Sequence, residues 1–268
     1  MSLQNEVTML ISSCDKFSDL WDVHIHLLNK NWPEHPEEVL LVTDCTSKKH
    51  YPGIEIVATG DDLAMPARLK SALERVRTEY VFLTLDDYFL SKKIMNDRLE
   101  NVFRFVQEND VDYFRLYRIP NDKTWVKGRK GWSWIDLETN YAVNLYPGIW
   151  KTSLLKKVMD GNLSPWEFEV TLTQRAKQEK AICVMSHNKE YPILDVVRKG
   201  KVLHKAARFF KRNHLDIGDR PVIPYSTEIK LKIIGLGSRI LPKPLAKGAR
   251  TILHKFGMNF FSDGTRKA

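Results

Sequence analysis

The chain has 268 residues, 43% of them hydrophobic, and a formal net charge of +9. That length suits one large domain or a domain with an appendage, and no apolar run approaches the roughly 20 residues a membrane-spanning helix requires. The charge is lopsided: residues 226–268 hold nine Lys/Arg against Glu228 and Asp263, a net +7, so the first 225 residues carry +2, which argues against a nucleic-acid-binding main domain.

Val7 to Ser12 reads as a first strand, running into turn chemistry at Ser13-Cys14-Asp15-Lys16. Phe17, Leu20, Trp21, His24, Leu27 and Leu28 then recur at helical spacing until Trp32-Pro33 stops the helix. Val39–Thr43 and Ile54–Ala58 are strands closing on Asp44 and on Gly60-Asp61-Asp62, and Met65 to Val76 is an amphipathic helix with Pro66 in its first turn. Tyr80 to Leu85 is an uninterrupted apolar and β-branched run, the mark of a strand buried on both faces, and Asp86-Asp87 follow it at once. A helix is expected over Lys92–Gln107, then a strand from Tyr113 to Tyr117. Alternation of this kind predicts an α/β fold with a mainly parallel, Rossmann-like sheet and helices on both faces.

Beyond Ile119 the alternation breaks. Asn121 to Thr139, with Trp125, Trp132 and Trp134 among Lys127, Gly128, Arg129, Lys130 and Gly131, reads as a long binding loop or lid. A strand from Tyr141 to Tyr146, a short helix from Ile149 to Met159 and a strand from Ala181 to Ser186 are expected. Between the last two, Ser164-Pro-Trp-Glu-Phe-Glu169 opens a helix, with Ser164 as cap, Pro165 in the first turn and Glu167 as capping-box acid. His187 and His204 show no partner in the sequence and read as surface or core residues.

Two carboxylates at the end of a buried strand repel one another and lose hydration, so a cation or a set of donors is expected beside Asp86 and Asp87, unless the pair simply ends the strand and caps a helix. In an open α/β sheet that end is also where ligands bind. The three widely spaced cysteines, Cys14, Cys45 and Cys183, form no CxxC and suit a reducing compartment without a disulfide framework or zinc site. His24 and His26 lie two apart on a helix and diverge, which also speaks against zinc. The opening Met-Ser-Leu-Gln-Asn-Glu lacks a signal-peptide pattern, so a cytoplasmic location is expected.

In order along the chain, Leu10-Ile-Ser-Ser-Cys-Asp-Lys16, Leu85-Asp-Asp-Tyr-Phe-Leu90, Tyr146-Pro-Gly-Ile-Trp150 and Ser164-Pro-Trp-Glu-Phe-Glu169 resemble the bacterial GT-A-fold, family-2-like nucleotide-sugar glycosyltransferases of capsule and lipopolysaccharide synthesis. The resemblance spans about residues 7–205; it departs from the usual Asp-x-Asp metal motif, which is here the adjacent pair Asp86-Asp87. It implies a metal-dependent, inverting transferase that uses a nucleoside-diphosphate sugar and a glycan or lipid-linked glycan acceptor. Asp87 is then the first choice for Mg2+ or Mn2+, with Asp86 left for the ribose or a metal-bound water. The resemblance also places a general base at the start of the helix after the second half of the sheet, where Glu167, slightly favoured, and Glu169 are the candidates. Ser12, Ser13, Asp15, Asp44, Asp61, Asp62 and Arg68 stand at strand ends and are candidate nucleotide contacts, though each is also ordinary turn, cap or surface chemistry. Arg198, Lys199 and Lys201 form a basic turn that could close over the diphosphate.

The expected division is a catalytic domain, 1–225, and a basic segment, 226–268, in which apolar residues and cations alternate. Such a segment suits either the inner membrane surface or packing on protein, including a second copy in a homo-oligomer. Two other functions fit less well: a sugar nucleotidyltransferase, against which the absence of a glycine-rich, arginine-bearing loop after the first strand counts, and a non-enzymatic membrane or nucleic-acid adaptor using the basic tail.

Overall fold

The computed structural model describes residues 2–118, 124–139, 141–161 and 163–229. The membrane-surface expectation for the tail falls almost wholly on 230–268, outside these residues. No helix among the described residues is long and apolar enough to cross a membrane.

Contacts gather the described chain into two units, one formed by 2–195 with 215–218, the other by 196–214 with 219–229. The first begins with α1 (Leu3–Glu6) and β1 (Val7–Ser12), followed by a 3-10 stretch (Asp15–Leu20), α2 (Trp21–Asn31), β2 (Val39–Thr43), β3 (Ile54–Ala58) and α3 (Met65–Leu73). Next come β4 (Tyr80–Leu85), β5 (Tyr88–Leu90), α4 (Asn96–Glu108), β6 (Tyr113–Arg115), β7 (Trp132–Trp134) and β8 (Gly148–Lys151). The unit closes with α5 (Thr152–Val158), α6 (Pro165–Gln178), β9 (Cys183–Ser186) and β10 (Ile193–Asp195).

Eight strands form one mixed sheet in the order β3-β2-β1-β4-β8-β6-β9-β7. The first four run parallel, and β8 enters antiparallel between β4 and β6. Because side chains alternate across a strand, each buried strand feeds both faces. Met9, Ile11, Tyr80 and Phe82 join α2 and α4 on one side through Trp21, Leu28, Leu99 and Phe103. Leu10, Val81 and Leu83 join α3, α5 and α6 on the other through Leu69, Leu155 and Phe168. The chain winds from β1 outward to β3, then returns to β4 on the other side of β1. The carboxyl ends of β1 and β4, registered Ser12 against Leu85, therefore flank a topological switch point.

Four expected elements differ. The helix expected from Lys92 starts at Asn96. The strand expected over Tyr141–Tyr146 is an irregular segment whose backbone is bonded by side chains: Thr173 Oγ1 at Val143, Glu169 at the Leu145 N–H, Asn144 Oδ1 at the Tyr146 N–H, and Arg115 at the Ala142 carbonyl. The strand lies just downstream as β8, which takes Ile149 and Trp150 from the expected helix. Gly148 opens it because a Cβ there would meet the Phe114 carbonyl oxygen at 2.7 Å. The expected lid is, over 124–134, a β-hairpin, with Val126 N–H bonded to Trp132 O at 3.0 Å and Trp134 N–H to Thr124 O at 2.8 Å.

The second unit holds a tight hairpin, β11 (Val197–Arg198) and β12 (Lys201–Val202), turned by Lys199 and Gly200 at φ 52 and 73. Positive φ at both central residues is what a type I′ hairpin turn demands. Helix α7 (His204–Asn213) follows; its first N–H is bonded by Glu228, and the His204 ring stacks on Tyr225 at 3.5 Å. Tyr225 and Glu228, on either side of the boundary expected between Tyr225 and Ser226, both engage α7.

Candidate active site

At the switch point Ser12 and Ser13 end β1 and meet the residues that leave β4. Asp86 N–H donates to Ser12 O at 3.1 Å. The Asp86 side chain, 7% exposed, turns inward and accepts a hydrogen bond from Ser13 Oγ, which in turn accepts one from Trp21 Nε1 at 2.7 Å. His24, on the buried face of α2, lies 3.0 Å through Nδ1 from the Asp86 carbonyl oxygen. Burial lowers its pKa to about 4 against the partly compensating Asp86 contact, so the ring is neutral at physiological pH and its Nδ1–H is the donor. Two side chains thus fix the Asp86 backbone and carboxylate before any ligand arrives.

Arg68 in α3 donates to Ser13 O at 3.3 Å and Leu63 O at 2.9 Å, bridging the β1 turn to the segment before the helix. Asp44 ties the same region to β2: its Oδ1 accepts from the N–H groups of Asp15 and Cys45 and from Thr43 Oγ1, at 2.6, 3.0 and 3.1 Å. Burial pushes the Asp44 pKa up, but these donors hold it below the ordinary carboxylate value. Cys14 sits between these groups; burial and then Asp86 and Asp44 raise its thiol to about 11. Ser12, Ser13, Asp15, Asp44, Arg68 and Asp86 are thus brought together. Asp61 and Asp62 occupy the exposed turn after β3, and Asp61 acts on Cys45 electrostatically together with Asp44 and Asp15. Arg198, Lys199 and Lys201 belong to the hairpin of the second unit.

Asp87 is half-buried and directs the chain into β5. There Tyr88 is paired with Asp195 across the β5–β10 ladder, and its ring stacks on Tyr146 at 5.4 Å, with Tyr117 on Tyr146 at 4.1 Å. Glu169, one turn into α6, accepts from the Leu145 N–H at 3.2 Å, beside Tyr146. The Tyr88 hydroxyl is raised well above its ordinary pKa by burial first and then by Tyr146, Asp87, Asp195 and Glu169. Those three carboxylates therefore all lie within electrostatic reach of one phenol.

Glu167 is placed differently. Its Oε2 accepts from the Ser164 N–H at 3.0 Å and Ser164 Oγ at 2.7 Å, closing the capping box at the solvent-exposed start of α6, and the bonds to Ser164 lower its pKa. The expected cap is present, and it occupies the carboxylate favoured as base. Tyr88, Tyr146, Asp195 and His24 escaped the sequence reading as site residues. The Tyr-Phe-Leu and Ile-Leu-Asp runs carry a strand signal only three residues long, and His24 looks like any apolar-face residue.

No family model matches the chain, and no curated protein matches it in sequence. Among solved structures it is similar to Staphylococcus aureus TarS, with TM-score 0.51 and 16% identity over 73% of this chain and 37% of that one, so it spans well under two thirds of TarS. It is also similar to the mannosyltransferase PcManGT of Pyrobaculum calidifontis, described in complex with GDP-Man and Mn2+, with TM-score 0.50 and 14% identity over 93% of this chain and 81% of that one. A cytidylyltransferase of Thermus thermophilus overlaps at TM-score 0.47 with 10% identity over 78% of this chain and 100% of that one. At these identities the likeness is one of fold: a Rossmann-like GT-A architecture, as the order of motifs implied.

Proposed function

We propose that the chain is an inverting glycosyltransferase that takes a sugar from a nucleoside diphosphate and passes it to a glycan hydroxyl, in surface polysaccharide synthesis of the capsule or lipopolysaccharide kind. The acceptor in this reading is a lipid-linked glycan at the inner face of the membrane. The observation that carries the chemistry is the topological switch point, where Ser13 holds the buried Asp86 at the ends of β1 and β4, with Asp87 next in the chain, Asp195 paired with Tyr88 and Glu169 on the Leu145 N–H.

Among the described residues no three His, Cys, Asp or Glu side chains converge to hold a metal ion by themselves. That donor set still fits Mg2+ or Mn2+ arriving with a diphosphate, because such ions take one or two carboxylates and fill the remaining positions with phosphate oxygens and water. Asp87 would hold it; when bound, the ion neutralises charge on the departing β-phosphate. Asp86, fixed through Ser13 and His24, sets where Asp87 stands, and the strand-end groups from Ser12 to Arg68, with Asp44, Asp61 and Asp62, receive the nucleoside.

Glu169 is the base in this mechanism. The acceptor oxygen attacks the anomeric carbon, the bond from that carbon to the diphosphate oxygen breaks, and the acceptor proton passes to Glu169. The Leu145 N–H holds one carboxylate oxygen and orients the other. Glu167 is a helix cap. Glu169→Gln should slow transfer by roughly 10²–10⁴ while leaving nucleotide affinity unchanged, and Glu167→Gln should leave transfer near wild type. If Glu167→Gln alone slows transfer, the base assignment is wrong. If the protein releases pyrophosphate from a nucleoside triphosphate and a sugar phosphate, the transferase reading is wrong.

A further inference from the structure

We propose that the groove between α4 and the 124–134 hairpin is a binding site for an anionic saccharide chain, separate from the carboxylates around Tyr88. The groove encloses about 470 Å³ and is lined by Arg98 of α4, by Arg129, Lys130 and Trp132 of the hairpin, and by Asn188 and Glu190. That volume is within the range of small-ligand sites.

The walls are built rigidly. Arg129 donates to Asn101 Oδ1 at 3.0 Å, lies 3.8 Å from a Glu108 oxygen, and its guanidinium sits 5.4 Å from the Phe105 ring centroid and 5.5 Å from that of Trp132. Glu190, 6% exposed, accepts from Trp132 Nε1 at 3.1 Å and from Ser186 Oγ. The hairpin tip packs so closely that a Cβ on Gly131, at φ 81, would lie 2.0 Å from Asn188 Oδ1, and Asn188 in turn donates to Lys130 O at 3.1 Å. Arg98 and Lys130, in contrast, are both exposed.

This inventory selects the ligand. Arg98 and Lys130 offer two exposed cations beside the half-buried Arg129, whose charge is shared with Glu108. Glu190, held by Trp132 and Ser186, keeps lone pairs for hydroxyl donors, and the Trp132 indole forms part of the wall. A bare phosphate would use only the cations. A nucleic-acid strand would need a longer cationic track, and the first 225 residues carry only +2. A saccharide bearing carboxylate or phosphodiester groups uses both the cations and Glu190.

The test is isothermal titration of the full chain with an oligogalacturonate and with a phosphodiester-linked mannose oligosaccharide, against maltohexaose, inorganic phosphate and an oligothymidylate. At least one of the two anionic oligomers should bind, about tenfold or more tighter than the other three probes, and which one binds names the anionic group. The charge reversals Arg98→Glu and Lys130→Glu together should weaken that binding by about tenfold or more. If the double variant does not fold, Arg98→Ala and Lys130→Ala singly should each weaken it. Absence of binding to both anionic oligomers, equal binding of a control probe, or affinity unchanged by the substitutions would overturn the proposal. No turnover is read, so the outcome is independent of the transferase assignment.

Discussion

His24 gives the most quantitative test of how the switch point is held. Its pKa falls from the ordinary 6.5 to about 4 in the folded chain, because a fully buried imidazolium lacks hydration and the Asp86 carbonyl compensates only in part. Between those two values the unfolded chain binds a proton at His24 and the folded chain does not. The contribution to stability is therefore fully present above pH 6.5 and is lost as the pH falls to about 4. At 1.36 kcal/mol per pKa unit the loss is about 3 kcal/mol. His24→Asn keeps a donor near the Asp86 carbonyl and removes the titration. Urea unfolding of both proteins at intervals from pH 7.5 to 4 should show the wild type losing about 3 kcal/mol relative to the variant over that window. A difference that stays flat with pH would refute the picture of a neutral, buried His24 anchoring Asp86.

Ser13→Ala should cost about 2 to 4 kcal/mol in urea unfolding, because it leaves both the buried Asp86 carboxylate and Trp21 Nε1 short of a partner, each worth roughly 1–3 kcal/mol; a cost below about 1 kcal/mol would contradict the hydrogen-bond chain. In a Cys45→Ser background, Cys14 should react with iodoacetamide at pH 8 about a hundredfold more slowly than a free thiol, its reactivity rising with pH toward about 11. Labelling at the rate of free cysteine would mean that the thiol is not enclosed by Asp86 and Asp44.

What could be read from the residues followed the strength of the local signal. β1 through β4 were legible to the residue, because short runs rich in apolar and β-branched residues and bounded by turns have no helical competitor. The α6 cap was legible because Ser-Pro-x-Glu satisfies the orphan N–H groups locally. Tyr141 to Tyr146 misled for the opposite reason: Tyr-Ala-Val-Asn-Leu-Tyr has strand composition, yet Thr173, Glu169, Asn144 and Arg115, most of them distant in sequence, supply its hydrogen bonds. The same distance hid the centre of the candidate site. Tyr88 meets Asp195 only through a three-residue antiparallel ladder, and it meets Glu169 only through the folded-back Tyr146 segment. The choice between Glu167 and Glu169 turns on which carboxylate closes the cap, and the motif supplies both.

The claim at the centre is that Asp87 and the ends of β1 and β4 receive a metal-bound nucleoside diphosphate. Calorimetric titration of uridine, guanosine and thymidine diphosphates, with and without Mn2+, into the wild-type chain and Asp87→Asn measures this directly. The wild type should bind at least one of them in a manganese-dependent way, and Asp87→Asn should lose that dependence while remaining folded. Metal-independent binding of equal strength in both proteins, or no binding of any of the three to the wild type, would contradict it.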